Sequence, residues 1–210
     1  MDRILDRAAL KAAAKEQMRG NLGTLILYSI VISIATALIT RILGLIPAVG
    51  WILSAVASVG ISAVTTYGLT KIYLNLTDGI APSIDVIISG AAEWARTLVT
   101  LLLVGIFTWL WSLLLIVPGI IKGLSYSQAI YILVDNPDIS AGDAVKESMR
   151  IMDGHKMEYF VLQLSFIPWA LLIAVTFGIA ALYVGPYMQT TYANYYRYVR
   201  DCSPMVRFED

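Results

Sequence analysis

Few side chains in this sequence have the chemistry of a catalyst. His155 is the only histidine and lies between Gly154 and Lys156. One imidazole can move a proton near neutral pH. At the edge of an apolar segment, however, His155 and Lys156 are expected to meet lipid headgroups. Asp135 and Asp138 are three residues apart. Paired carboxylates do acid–base work only across a cleft at a set separation, and the intervening Asn136-Pro137 makes turn chemistry the simpler reading. The sequence holds no phosphate loop, dinucleotide fingerprint, H-E-x-x-H helix or cysteine–histidine cluster. No catalytic residue, metal ligand or cofactor is therefore expected, and the chain does not read as an enzyme.

The remaining chemistry is hydrogen bonding in apolar surroundings. Three groups stand out: Ser62, Thr65 and Thr66; Ser125, Ser127 and Gln128; and Gln189, Thr190, Thr191 and Tyr192. Each lies on the returning half of a candidate helical hairpin. Converging at one depth, they would line a polar cavity for a lipid-like or amphiphilic ligand. The alternative is that they only pair helix with helix. Lys122 sits three residues past Gly119 at a turn and is expected to snorkel to the outer membrane surface.

The elements that must position these groups are membrane helices. Hydrophobic residues make up 58% of the chain and charged residues 14%, with a mean hydropathy of +0.73. Soluble domains sit near 45–50% and about 25%, so lipid must be the solvent. Fifteen bases balance fifteen acids, which excludes a nucleic-acid partner that needs a basic surface. The lone Cys202 allows no internal disulfide and suits a reducing compartment. Six apolar segments are expected to span: 25–40, 51–72, 98–117, 119–134, 158–176 and 179–199. The fourth is short, and a re-entrant helix competes with it. The sixth is expected to break near Gly185-Pro186, with its tyrosines forming an interfacial belt. Ala35-Thr36-Ala37 resembles a signal-peptide cleavage site, but the long polar stretch before it and the apolar run after it argue against cleavage.

Polar helices precede the hairpins. Asp2, Ser83 and Ser140 can cap them, with Ser140-x-x-Asp143 close to a capping box. In the first, the bases recur at four-residue spacing and would face anionic lipid. In the last, 141–152, Val145, Met149 and Met152 share the apolar side, with Lys146, Glu147 and Arg150 off it. Lys15-Glu16-Gln17-Met18-Arg19 returns as Lys146-Glu147-Ser148-Met149-Arg150. Together these features predict an all-α polytopic membrane protein of six transmembrane helices. They form three repeats of amphipathic surface helix plus hairpin, over 1–80, 81–138 and 139–200, with a cytosolic tail at 201–210. Every base except Arg41 and Lys122 then falls on one side, which places both termini in the cytosol by the positive-inside rule.

The run Trp111-Ser112-Leu113-Leu114-Leu115-Ile116-Val117-Pro118-Gly119-Ile120-Ile121-Lys122 resembles the signature of a family of uncharacterised bacterial integral membrane proteins. Ser125-Tyr126-Ser127, Asp135-Asn136-Pro137-Asp138, Gly154-His155-Lys156 and Leu164-Ser165-Phe166-Ile167 continue the likeness in order, and Lys15 to Gly23 is similar to the family's amino-terminal motif. The family is distantly similar to the membrane domain attached to some glycerophosphoryl diester phosphodiesterases. The resemblance implies a fold and a membrane location, and it brings no functional residues. Thr176-Phe177-Gly178 departs from the family's Thr-Leu-Gly.

Two functions remain: a membrane-embedded binder or carrier of an amphiphile, with membrane lipids as partners, or a scaffold whose surface helices dock another membrane or cytosolic protein. The topology is testable by itself. In a Cys202→Ser background, single cysteines at Ala48, Gly119 and Gly178 should label from outside. Those at Asp78, Asp143 and Ser203 should label only after permeabilisation. External labelling at Asp143 would refute six spans.

Overall fold

The computed structural model describes residues 5–203. The Asp2 cap, Arg3, Ile4 and the tail from Pro204, with Arg207, lie outside the described residues. Every described element is helical: α1 (Arg7–Met18), α2 (Leu22–Gly44), α3 (Gly50–Thr77), α4 (Ile84–Ser89), α5 (Trp94–Leu114), α6 (Ile116–Tyr126), α7 (Ala129–Asp135), α8 (Ala141–Ile151), α9 (Lys156–Leu164), α10 (Ile167–Val175) and α11 (Ala181–Cys202).

Five segments are long and apolar enough to cross a membrane: Leu22–Gly44, Gly50–Thr77, Trp94–Leu113, Val117–Asp135 and Lys156–Val175. Large apolar side chains such as Leu38, Ile42, Trp51, Val56, Trp109 and Leu171 face outward from them. An apolar surface this extensive belongs against lipid. The last long helix, α11, is not among the five. It carries Gln189, Asn194, Arg197 and Arg200, and its surroundings are protein. Val184, Ala193, Tyr195, Tyr196 and Val199 are fully buried against α1, α2, α3 and α10. The expected tyrosine belt is thus a core instead. Tyr187, Tyr192 and Tyr195 pack ring on ring with Tyr159, Phe166 and Trp169. The helix also runs unbroken through Gly185-Pro186.

Side-chain caps mark three short helices. Asp6 accepts from the amides of Ala8 and Ala9, Ser83 from Asp85, and Ser140 from Asp143. The first described helix is thus capped by Asp6, and α4 ends at Ser89 before the Gly90 turn. Each capped helix packs on other helices. α4 lies on α3, α8 on α5, α6 and α7, and α1 on α11. Gly68 permits the first of these contacts, because a Cβ there would stand 2.6 Å from the Ile87 Cα.

Two spans are interrupted, and a capped helix serves each interruption. Between α6 and α7 the chain turns at Ser127-Gln128, which breaks the regular ladder at the Ser125 carbonyl and the Gln128 amide. Water cannot satisfy such groups inside a bilayer. The Ser148 hydroxyl of α8 does both jobs: it accepts from the Gln128 N–H at 3.1 Å and donates to the Ser125 carbonyl at 2.7 Å. Between α9 and α10 the chain turns at Ser165-Phe166, just before Pro168, which has no amide proton. There Lys11 of α1 donates to the Ser165 carbonyl at 3.1 Å and lies over the Phe166 ring, 4.2 Å from its centroid. Lys11 thus faces protein and not anionic lipid. Burial, then the neighbouring charge of Arg7, lowers its pKa. Pro118 does not end a helix either. The chain bends at extended Leu115, and Pro118 sits in the first turn of α6.

Gly119 is unsuitable as a labelling site, since a Cβ would lie 2.7 Å from the Ser112 Cα. Leu115, exposed at the bend, replaces it. Ser148→Ala should strip two buried backbone groups of their partner, at about 1–3 kcal/mol each. Its melting temperature in detergent should fall well below that of Ser140→Ala, which loses one exposed cap worth about 1 kcal/mol. Equal melting of the two variants would show that the break does not depend on Ser148.

Candidate functional site

Where α8 crosses α6, an open cleft of about 470 Å³ is lined by Lys122, Ser125, Lys146, Met149, Arg150, Asp153 and Lys156. Four of these seven residues are bases, so the partner of each base decides what the cleft can do. Lys146 pairs with Asp143 at 2.9 Å, and Lys156 with Asp153 at 3.4 Å. Arg150 grips Glu147 with two bonds, at 2.8 and 2.7 Å. The Ser140 hydroxyl and the Lys146 ammonium hold the Asp143 carboxyl below its usual range, and the bonds that Arg150 donates to Glu147 raise its already high pKa.

Lys122 differs from the other three. Its ammonium lies over the Trp111 ring, 5.0 Å from the centroid, and no carboxylate among the described residues pairs with it. A lysine at a span centre costs about 2.5–3.5 kcal/mol on the insertion scale. The ring returns about 0.5–2 kcal/mol and leaves the charge in place. Lys122, expected at the outer membrane surface, lines one cleft with Lys146, Arg150 and Lys156.

A correction concerns the faces of α8. Met149 is 36% exposed, whereas Glu147 is only 1% exposed. The helix is wedged between α5, α6 and α7 and buries two sides, through Ala141, Ala144, Val145, Glu147, Ser148, Ile151 and Met152. A single apolar stripe cannot describe such a helix.

The three polar groups expected to converge do so only in part. Ser62 is exposed and Thr65 and Thr66 are half-buried. Ser62 donates to Val59 and Thr65 to Ile61, carbonyls of their own helix. Among the described residues no side-chain hydrogen bond joins this group to the others. Ser125 and Ser127 likewise bond Ile121 and Leu124, and Thr191 bonds Tyr187. Aromatic neighbours, not the polar groups themselves, make the approach between the second and third groups: the Tyr131 hydroxyl, three residues past Gln128, donates to Gln189 at 3.3 Å, and the Tyr192 ring stands edge-on to Tyr159. Gln128 is fully buried; its amide nitrogen donates to Ser127 at 2.9 Å. Its carbonyl oxygen and the Thr190 hydroxyl have no partner. Among all these residues, Ser125 is the one that lines the cleft.

His155 holds a structural position. Its Nδ1 is 2.8 Å from Glu158, and its carbonyl accepts from Tyr195 at 2.9 Å. Asp135 is more than a turn residue. It accepts from Tyr196 at 2.9 Å, Arg197 at 2.9 Å and Arg200 at 2.8 Å, which fastens α7 to α11. Arg197 also reaches Asp78 at 2.6 Å. Arg96 donates to the carbonyls of Leu133, Pro137 and Ile139 and so closes the end of α7. Its Nε lies 3.1 Å from Glu93 but is not aligned for a hydrogen bond, so that contact is an ion pair only. The spacing of Arg197 and Arg200, on one helical face, is the sequence signal that could have revealed this hub.

Fold and cleft together define an all-helical protein with segments apolar enough for a membrane and a cation-lined cleft set among them. The chain belongs to the family described as "Protein of unknown function (DUF975)", whose model matches residues 1–123 and 113–203. No curated protein and no solved structure matches the chain, so the likeness to phosphodiesterase membrane domains gains no support from them.

The pair of buried Glu147 with solvent-exposed Arg150 gives a direct test. Arg150→Met should strand the Glu147 carboxylate and cost about 1–3 kcal/mol. Adding Glu147→Gln should restore most of the lost melting temperature. An Arg150→Met single variant as stable as the parent would mean that Glu147 does not depend on this partner.

Proposed function

We propose that the protein is a non-enzymatic, membrane-embedded binder or carrier of an amphiphilic ligand, held in the cleft between α6 and α8. One observation carries this reading. Lys122, on a segment apolar enough to cross a membrane, opens onto a cleft and lacks a carboxylate partner. Intramembrane cations are costly and mark sites of binding or passage. Ile120 and Ile121, exposed beside it on the same helix, offer an apolar surface for a tail. The ligand's polar end would enter the cleft.

The reading includes six crossings with both termini in the cytosol, with α11 as the sixth. Three-unit repetition is supported by the caps at Asp6, Ser83 and Ser140 and by a cyclic pattern of packing. Each capped helix rests on the unit before it: α4 on α3, α8 on α5 to α7, and α1 on α11. The scaffold alternative loses ground because α1 and α8 use their apolar sides internally. Ala14 and Met18 are buried, as are most apolar residues of α8.

Native mass spectrometry of the detergent-purified chain tests the binding role. The parent should retain lipid, and Met149→Trp, which fills the cleft, should release it with the melting temperature unchanged. Gln189→Leu, outside the cleft, should keep it. A parent free of lipid, or equal retention in all three proteins, would return the argument to the scaffold.

A further inference from the structure

The charges around the cleft restrict the ligand further, on the condition that the cleft is the binding site just proposed. Lys146, Arg150 and Lys156 each have a carboxylate three residues away on the same stretch of chain: Asp143, Glu147 and Asp153. These six charges cancel. Lys122 remains as a single uncompensated positive charge, with an aromatic ring on one side of it. A zwitterion would leave this charge in place, and a dianion would replace it with a net negative charge. A group carrying one negative charge neutralises it.

The donors are as specific as the charge. An ammonium offers three N–H donors, and Lys146 and Lys156 each use one on their own carboxylate. Lys122, Lys146 and Lys156 thus present several N–H groups around one opening, while Asp153 is the one carboxylate on its lining. Several donors around a single negative charge suit an anion with more than one acceptor oxygen, as in a phosphate diester. Exposed Met149 on the lining, and Ile120 and Ile121 on the adjoining helix surface, add apolar surface that a water-soluble anion would not use.

We propose that the cleft takes the monoanionic phosphate-diester headgroup of a membrane lipid, with Lys122 as its counter-charge and Lys146 and Lys156 as further donors. The headgroup oxygens lie among the three ammonium groups, and the chains run along the outer face of α6.

The full chain, purified in a neutral detergent and delipidated, is titrated with four probes: dioctanoyl phosphatidylglycerol, dioctanoyl phosphatidylcholine, dioctanoyl phosphatidic acid and dimethyl phosphate. Phosphatidylglycerol should bind at least ten-fold more tightly than phosphatidylcholine. Lys122→Gln should abolish that preference, Lys122→Arg should keep it, and Lys15→Gln, away from the cleft, should leave it unchanged. Lys122→Gln removes a charge from an apolar segment, so its melting temperature should equal or exceed the parent's, and lost binding cannot then be ascribed to misfolding. Equal binding of phosphatidylglycerol and phosphatidylcholine would overturn the charge assignment while leaving amphiphile binding intact. Phosphatidic acid binding ten-fold more tightly than phosphatidylglycerol would overturn the single-charge match. Dimethyl phosphate binding as tightly as the lipid would overturn the lipid source. No binding of any probe would remove both this proposal and the reading on which it rests.

Discussion

One hydroxyl group determines how the middle of this molecule is put together. A helix that stops and restarts inside a bilayer exposes backbone groups that lipid cannot satisfy. At Ser127-Gln128 those groups are the Ser125 carbonyl and the Gln128 amide, and Ser148 serves both. To bring Ser148 there, α8 must lie among the spans and not on the membrane surface. Its polar residues must come with it. Glu147 is then buried and needs Arg150 beside it, and Lys146 and Arg150 come to face Lys122. The cleft is thus a by-product of mending a broken helix.

The same logic operates at the second interruption with a different side chain. Lys11 uses a charged donor at the Ser165 carbonyl where Ser148 uses a hydroxyl. A charged donor makes the stronger bond but must be shielded, and the Phe166 ring beneath it contributes. The two devices differ in consequence. Lys11 ends with its charge engaged. Around α8 the mending residue is neutral, and the unengaged charge belongs to Lys122 on the neighbouring helix.

The sequence exposes those parts of the fold that depend on solvent and on local geometry. Apolar runs locate the spans because lipid contact demands them, and Ser83 and Ser140 are legible as caps because capping is a contact between near neighbours. The helical period leads to Met149 as a core residue, but it cannot register a helix buried on two sides, so Glu147 escapes it. The tyrosines of α11 look interfacial because tyrosine favours interfaces; only the packing of α1, α2, α3 and α10 around that helix, with the Tyr159 ring of α9, makes them a core. The cleft around Lys122 escapes the sequence for a related reason. Distance along the chain from a turn predicts which surface a lysine can reach, not which neighbour folds over it. The cleft joins residues 122 to 156, and no local pattern spans that distance.

The position of α1 has a consequence for how the protein is made. Its buried residues Ala14 and Met18, its Gln17 amide paired with Asn194 and its Lys11 contact at Ser165 all involve late parts of the chain. A chain emerging from the ribosome presents α1 before α11. While the helices between them are being made α1 lacks these partners; Lys11 can reach the Ser165 carbonyl once α9 and α10 are in place, and Gln17 can pair with Asn194 only when α11 follows. Insertion and maturation are therefore separate events in this protein. The spans can enter the membrane one after another, while α1 completes its packing only after α11 has been made.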